Sequence, residues 1–208
     1  MQKLSSKKNI IFDLDGVLLD SLKNMLVSWN SVNKRFDLNI SFDEYYKHIG
    51  IPFKDILKSL KIKKNKFSLI EKQYSTKSFR NLNKVKFYPN VLSTLKYLKK
   101  KKYFLGILTS KDKVRTNIIL KKLNIKFDVI QCPQKNYKGK PSSDLIKKII
   151  KDKKLKRNEC IYIGDSIYDL VMCRAAKVDF LFAKYGYKIG IKNYKLKINK
   201  FSDIQKIL

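Results

Sequence analysis

The sequence has few cysteines and no long apolar segment, and each shortage excludes a class of protein. Its 208 residues include three cysteines, Cys132, Cys160 and Cys173, none of them in a C-x-x-C pair. Three thiols without that spacing are too few for a disulfide-stapled secreted scaffold or a zinc site, so we assign them no chemistry. Apolar runs such as residues 180–183 stop far short of the roughly 20 residues that cross a bilayer. No charged-then-apolar leader opens the sequence, and we expect a cytoplasmic protein without a membrane partner.

Acidic residues and arginine are also scarce, although the chain is strongly basic. Lysine and arginine number 48 against 17 acidic residues, which gives a formal net charge of +31. Five of these cations are arginine, the residue that reads phosphates and base edges bidentately. The lysines are scattered rather than gathered in one arm or stripe, so nucleic-acid binding is the less favoured interpretation. We favour a basic surface that collects a small anionic substrate.

The apolar pattern predicts an α/β fold. Five short β-rich runs are separated by stretches with helical spacing. These runs are residues 9–13, 103–109, 127–131, 160–163 and 178–183. Strands that alternate with helices in this way are typical of a Rossmann-like, doubly wound parallel sheet.

The block between the first two of these strands departs from that alternation. From Ser21 to about Arg80, apolar residues recur at helical spacing with almost no strand signal. About sixty residues are too many for an ordinary connection, so we expect a small helical bundle with its own core. We therefore predict an all-helical cap domain at residues 19–83, inserted into a catalytic core of residues 1–18 and 84–208.

Polar residues follow several of the predicted strands and would converge in the folded chain. In an open parallel sheet, ligands bind at the carboxyl ends of the strands. Asp13, Thr109, Lys140 and Asp165 all occupy such strand-end segments. Carboxylates, a hydroxyl and a fixed cation are what a magnesium-assisted attack on a phosphate ester requires. The pattern therefore predicts phosphoryl transfer.

Asp13 and Asp15 are two residues apart, so on an extended chain they point the same way. One carboxylate can attack phosphorus while the other protonates the leaving oxygen. Each residue also has an ordinary structural interpretation. The D-x-D pair could be an acidic turn that caps a helix, Thr109 a hydroxyl satisfied by backbone, and Lys140 one of many surface lysines.

Four motifs, in order, resemble those of the haloacid dehalogenase superfamily. The first is the segment from Asp13 to Ser21, with the sequence DLDGVLLDS. The others are Thr109 with Ser110, Lys140 within Gly-Lys-Pro, and the segment Gly164-Asp165-Ser166-x-x-Asp169. The segment FYPNV at residues 87–91 resembles the return from cap to core in the helical-cap subgroup, which includes phosphoglycolate phosphatases and β-phosphoglucomutases.

The resemblance implies a role for each motif residue. Asp13 would be the nucleophile and Asp15 the general acid and base. Mg²⁺ would be held by Asp13, the backbone carbonyl of Asp15 and Asp165. Asp169 would orient the metal shell or the motif lysine. Thr109, Ser110 and Lys140 would bind the phosphate. An aspartate at position 15 excludes dehalogenases and phosphonate hydrolases within the family, which leaves a phosphatase or a mutase.

Substrate choice is expected to lie in the cap. His48, Gly50, Phe53 and Lys54 fall where this subgroup carries its specificity loop, although His48 could equally be a surface residue and Phe53 a core anchor. We expect a phosphatase, monomer or homodimer, acting on a phosphoglycolate-like phosphomonoester. The open alternatives are a β-phosphoglucomutase-like isomerase, a pyrophosphatase and a nucleotide phosphatase. An alternative of another class is a non-catalytic, basic nucleic-acid-binding protein.

Overall fold

A computed structural model describes residues 4, 6–191 and 194–208. Its strands are β1 (Asn9–Phe12), β2 (Leu19–Asp20), β3 (Lys86–Phe87), β4 (Phe104–Leu108), β5 (Val129–Gln131), β6 (Cys160–Gly164), β7 (Asp179–Ala183) and β8 (Lys197–Ile198). Its helices are α1 (Leu22–Phe36), α2 (Phe42–Tyr46), α3 (Phe53–Ser59), α4 (Phe67–Arg80), α5 (Val91–Lys100), α6 (Lys113–Lys121), α7 (Asp144–Asp152), α8 (Ile167–Ala176) and α9 (Ile204–Ile207). Among the described residues, no helix is long and apolar enough to cross a membrane.

A parallel sheet with β1 near its centre positions the strand ends. Within the described residues its six strands run in the order β5-β4-β1-β6-β7-β8. Successive residues of β1 point to different cores, since Ile10 and Phe12 pack in one buried cluster and Ile11 in another. Helices cover both faces, which explains why the strands are continuously apolar rather than alternating. The predicted Rossmann-like, doubly wound sheet is confirmed.

Helices α1 to α4 share a third buried cluster, separate from the two that flank the sheet. At its centre Trp29 stacks on Tyr45, with ring centroids 4.6 Å apart. Two residues that follow β7, Tyr187 and Ile189, also belong to this cluster. The helical block therefore has its own core, and a loop of the sheet domain packs into it. The boundaries at residues 19 and 83 remain a prediction.

The chain enters and leaves the helical block through a short antiparallel pair that the sequence did not predict. Leu19 pairs with Phe87 and Asp20 with Lys86, which joins β2 to β3. This ladder brings the two crossing segments side by side next to the end of β1. The first-motif residues and the base of the helical block are thereby held together.

Candidate active site

Asp13 immediately follows β1 and is 4% exposed. Its backbone N–H donates to the carbonyl of Ile163 at 2.9 Å, so the pairing with β6 continues one residue beyond the strand. Its carboxylate oxygen Oδ1 accepts a hydrogen bond from the Leu14 N–H at 2.7 Å and lies 2.8 Å from Lys140 Nζ. Both the backbone and one carboxylate oxygen of Asp13 are therefore fixed.

Lys140 lies between two buried carboxylates and is itself 3% exposed. Its Nζ is 2.8 Å from Asp13 Oδ1 and 2.8 Å from Asp169 Oδ1, as close ion pairs. Burial by itself would lower the pKa of Lys140, but the charges of Asp13 and Asp169 outweigh it and raise the pKa. The ammonium therefore stays charged, and the structure places this lysine in the interior rather than on the surface.

Asp165 and Asp169 stand on either side of the start of α8. Asp165 follows β6, is 3% exposed, and accepts a hydrogen bond from the Tyr187 N–H at 2.6 Å. Asp169 is fully buried and forms a capping box with Ser166, whose N–H and hydroxyl donate to its Oδ2 at 3.1 and 2.6 Å. Asp169 is thus both a helix-capping residue and the second partner of Lys140.

The carboxylate oxygens of Asp13, Asp165 and Asp169 lie within 4.8 Å of one another. Burial raises the pKa of Asp13 to about 7, with Lys140 opposing and Asp169 adding to the rise. Burial, then the charges of Asp169 and Asp13, raise the pKa of Asp165 well above its usual value. Lys140 pairs with two of these three crowded carboxylates, so the site has an excess of negative charge that a hard, oxygen-binding cation would neutralise. This donor set fits Mg²⁺.

Two glycines allow the backbone to approach Asp165 closely. Gly16 has a φ of +81°, and a Cβ there would lie 2.0 Å from Asp165 Oδ2. A Cβ on Gly186 would lie 2.6 Å from Asp165 Cβ and 2.3 Å from the Gly16 carbonyl. The turn after Asp15 and the loop after β7 can therefore both close over Asp165 only because these positions lack side chains.

Asp15 has different surroundings from Asp13. Its Oδ1 accepts a hydrogen bond from the Ser21 hydroxyl, and its Oδ2 lies 3.1 Å from Lys111 Nζ. The Lys111 side chain is only 6% exposed, and the Ser21 hydroxyl is also 3.0 Å from the Tyr187 hydroxyl. The two carboxylates predicted as a pair thus have separate cationic partners, an arrangement that allows them different protonation roles.

Thr109 and Ser110 follow β4 and make different contacts. Thr109 is 2% exposed, its N–H donates to the Gln131 carbonyl, and its hydroxyl accepts the Lys111 N–H at 3.1 Å. Ser110 instead donates its hydroxyl to the carbonyl of Gly50 at 2.6 Å. The strand end that was predicted to bind phosphate therefore also contacts the helical block.

A cavity of about 60 Å³ lies between the strand ends and the helical block. Of the predicted residues, those that line it are Asp13, Asp15, Thr109, Ser110, Asp165, Gly50 and Phe53. Lys140 lies behind Asp13 and does not line it. His48 is half-buried and also outside the lining. Lys54 is exposed, with its Nζ 3.7 Å from Glu71.

Several cavity residues were not singled out from the sequence. Lys111 and Arg115 bring positive charge to the wall, and Tyr45 and Tyr74 bring hydroxyls. Aromatic residues at helical spacing predict core packing, and a lysine or arginine near a helix start predicts a solvated surface, so neither pattern indicated a site. One signal was available for Arg115, because arginine is rare in a chain whose ordinary cation is lysine.

Comparison with known proteins agrees with this geometry. A family model described as haloacid dehalogenase-like hydrolase matches residues 10–183. The chain therefore belongs to the haloacid dehalogenase-like hydrolase family, and the resemblance carried by its four motifs is confirmed.

Similar proteins indicate which type of hydrolase this chain is. The phosphoglycolate phosphatase of Aquifex aeolicus is 27% identical over 209 residues, which cover 96% of this chain and 95% of the relative. The pyrophosphatase PpaX of Bacillus cereus is 28% identical over 171 residues, which cover 78% and 76%. The crystal structure of a predicted phosphoglycolate phosphatase from Haemophilus somnus matches with a TM-score of 0.84 at 26% identity, covering 97% of this chain and 98% of the other. The chain is a hydrolase of the family's phosphatase type.

Proposed function

We propose that this protein is a magnesium-dependent phosphatase that hydrolyses a small phosphorylated metabolite through an aspartyl phosphate on Asp13. The observation that carries the proposal is the different setting of the two first-motif carboxylates. Asp13 is paired with the buried Lys140, whereas Asp15 is paired with Lys111 and Ser21. Both line one cavity with Thr109. A nucleophile and a separate acid-base group are what a two-step phosphoryl transfer requires.

The contacts of Asp13 indicate which of its oxygens attacks. Oδ1 is occupied by the Leu14 N–H and Lys140. Among the described residues, Oδ2 has neither a hydrogen bond nor an ion pair, so we assign it as the attacking atom. The Oδ2–phosphorus bond forms as the bond from phosphorus to the ester oxygen breaks, and Asp15 gives that oxygen a proton. Asp15 then takes a proton from the water that hydrolyses the aspartyl phosphate.

The remaining residues would hold the anion and keep the site neutral. Thr109, whose hydroxyl oxygen already accepts the Lys111 N–H, can donate its proton to a phosphate oxygen. Ser110 would supply its backbone N–H. Lys140 offsets the charges of Asp13 and Asp169, which would otherwise repel the substrate.

Asp13, Asp165 and the backbone carbonyl of Asp15 would hold Mg²⁺, with Asp169 orienting the shell through Lys140. When bound, the ion would neutralise charge on the phosphoryl group. The buried carboxylate cluster supports this assignment, because its negative charge exceeds that of its one lysine.

Phosphoglycolate is the leading substrate, and pyrophosphate is the second candidate. Relatives of both names match the chain. The helical block, as a cap over residues 19–83, would choose between them through Gly50 and Phe53, which line the cavity.

The nucleophile is tested with Asp13→Asn and a generic substrate, 4-nitrophenyl phosphate. We expect the wild-type protein to hydrolyse it with Mg²⁺ and to lose that activity in excess EDTA. The substitution removes the attacking carboxylate and should lower kcat by at least about a thousandfold. Asp37→Asn makes the same exchange of a carboxylate oxygen for an amide group at an exposed residue and should leave kcat unaltered. Turnover retained in Asp13→Asn would disprove the assigned nucleophile.

Substrate identity is tested by measuring phosphate release from a panel with Mg²⁺. The panel contains phosphoglycolate, pyrophosphate, sugar phosphates and nucleotides. The highest kcat/KM is expected for phosphoglycolate. A nucleotide or sugar bisphosphate at the top of the panel would overturn this assignment.

A further inference from the structure

Arg115 is an internal arginine at the wall of the active-site cavity. It lies in α6, on the sheet side, and lines the cavity with Tyr45 and Tyr74 of the helical block. Its side chain is 12% exposed, and its guanidinium carbon is 5.6 Å from the centroid of the Tyr74 ring. Long charged side chains are rarely withdrawn from water without a partner or a ligand.

Two of the three guanidinium nitrogens hold the side chain in place. Nε donates to the carboxylate of Asp112, the residue that caps α6. Nη1 donates to the hydroxyl of Ser78, near the end of α4, at 2.6 Å. In the described part of the chain, Nη2 makes no hydrogen bond. Arg115 is therefore rigidly positioned with one terminal nitrogen unused.

Tyr74 provides a second unused donor beside it. The Tyr45 hydroxyl donates to the Tyr74 oxygen at 3.0 Å, so that oxygen serves as an acceptor. Among the residues that the structure describes, none accepts the proton of the Tyr74 hydroxyl. Burial raises the pKa of Tyr74 to about 12, and the hydroxyl keeps that proton at neutral pH. Two donors without acceptors in the described structure thus line the same cavity as Asp13.

We propose that Arg115 and Tyr74 form a subsite for a second anionic group of the substrate, while its phosphoryl group lies at Asp13. The subsite rests on the phosphatase function proposed above and deepens it by naming the substrate class. Guanidinium and hydroxyl donors both suit a carboxylate or phosphate oxygen. Asp13, Tyr74 and Arg115 line the same cavity, so the two anionic groups would belong to one small substrate.

A purely structural role for Arg115 makes a different prediction. Its bond to Ser78 ties α6 to α4, and its loss could loosen the contact between the sheet domain and the helical block. That change would impair every substrate by the same factor. A subsite instead affects only substrates that carry the second anion. Two substrates that differ in this one group separate the two roles.

The test compares phosphoglycolate with ethyl phosphate, which keeps the two-carbon ester and lacks the carboxylate. Pyrophosphate is the third arm, because its second anion is a phosphate. In the wild-type protein with Mg²⁺, we expect kcat/KM for at least one substrate with a second anionic group to exceed that for ethyl phosphate by about tenfold or more. Arg115→Met should erase most of this ratio, mainly through KM. Arg115→Lys should restore part of this ratio, because lysine returns the positive charge but lacks the planar, two-pronged set of N–H donors of a guanidinium.

Two further variants distinguish an effect on substrate specificity from an effect on protein stability. Arg80→Met removes an exposed arginine at the end of α4 and should leave all three values unchanged. Tyr74→Phe removes one donor and keeps the ring, and it should lower the same ratio by a smaller factor even if Arg115→Met does not fold.

Three results would overturn the subsite. The first is equal kcat/KM for all three substrates in the wild-type protein. The second is an equal loss for all three in Arg115→Met or Tyr74→Phe. With either of these two results, the phosphatase proposal would still hold if ethyl phosphate is hydrolysed and if that hydrolysis depends on Asp13. The third, no hydrolysis of any substrate, would overturn both proposals.

Discussion

At the scale of single residues, the main feature of the site is that two buried carboxylates depend on one buried ammonium. Lys140 contacts Asp13 and Asp169 at the same distance, 2.8 Å, and water reaches none of the three freely. Removing one partner from a buried ion pair leaves an uncompensated charge in a medium that solvates it poorly. Lys140 should therefore stabilise the fold as well as the charge balance of the site.

Replacing Lys140 by Met tests this dependence. We expect Lys140→Met to lower the free energy of unfolding by about 3 kcal/mol, because Asp13 and Asp169 lose their shared counter-charge. Urea denaturation in EDTA measures the change. Lys147→Met, at an exposed position of α7, should stay within about 0.5 kcal/mol of the wild-type value. Equal losses for the two variants would show that the buried ion pairs contribute nothing.

At the scale of elements, the loop after β7 connects the parts of the site. The Tyr187 N–H donates to Asp165, and the Tyr187 hydroxyl contacts Ser21, which donates to Asp15. The Tyr187 carbonyl accepts a hydrogen bond from the hydroxyl of Tyr46, in α2, at 2.8 Å. One residue therefore contacts a proposed metal ligand, the partner of the proposed acid-base group and the helical block. We regard Tyr187 as a positioning residue.

Tyr187→Phe separates this positioning from simple packing. The ring and the main-chain contacts of Tyr187 itself remain, but the Ser21 N–H loses its acceptor and the Ser21 hydroxyl loses its neighbour, so Ser21 orients Asp15 less firmly. We expect kcat for 4-nitrophenyl phosphate to fall by about tenfold with a smaller change in KM. Tyr185→Phe removes a comparable hydroxyl bond, 2.8 Å long, to the carbonyl of Val17. It should cost about 1 kcal/mol of stability without lowering kcat. Equal kcat in the two variants would count against positioning.

Elements with a periodic signal were predictable from the sequence, and the shortest elements were not. Apart from Asn9, β1 and β6 are apolar because both faces of the sheet are covered, and Ser166 marks the start of α8. β2, β3 and β8 have two residues each, which is too short for any period to appear. Their pairing depends on where distant segments meet.

Side-chain partners in the site were predictable only in part. The motif spacing brought Asp13, Lys140 and Asp165 to one sheet edge, since strand ends converge in any parallel sheet. It did not predict that Asp15 pairs with Lys111, or that Arg115 reaches Ser78. In a chain with so many lysines, a buried cation has the same local sequence as a solvated one, and only tertiary packing distinguishes them.

At the scale of the whole molecule, the net charge of +31 and the active site are distinct features. The cations that the site uses are buried and paired with named carboxylates, as Lys140 and Lys111 are. Exposed lysines such as Lys54 and Lys147 lie away from the cavity. The surface charge should raise the local concentration of small anions, and it should attract nucleic acid weakly and without specificity.

The affinity of the protein for DNA shows how strongly the basic surface attracts nucleic acid. We expect a dissociation constant for duplex or single-stranded DNA of about 1 to 100 μM at physiological salt, falling steeply as salt is lowered. Fluorescence anisotropy across a salt series provides the measurement. Submicromolar binding at physiological salt, together with no magnesium-dependent phosphatase activity, would favour a nucleic-acid-binding protein over an enzyme.

The hydrogen bond from Ser110 to the carbonyl of Gly50 has a consequence for how such enzymes diversify. Gly50 has a φ of +114°, which favours glycine, but the bond uses only its main-chain carbonyl and involves no other side chain of the helical block. The contact between the strand end and the block above it therefore imposes little selection on the block's side chains. Mutations can change the residues that face a substrate while this contact is retained. Substrate specificity can therefore change faster in evolution than the catalysed reaction.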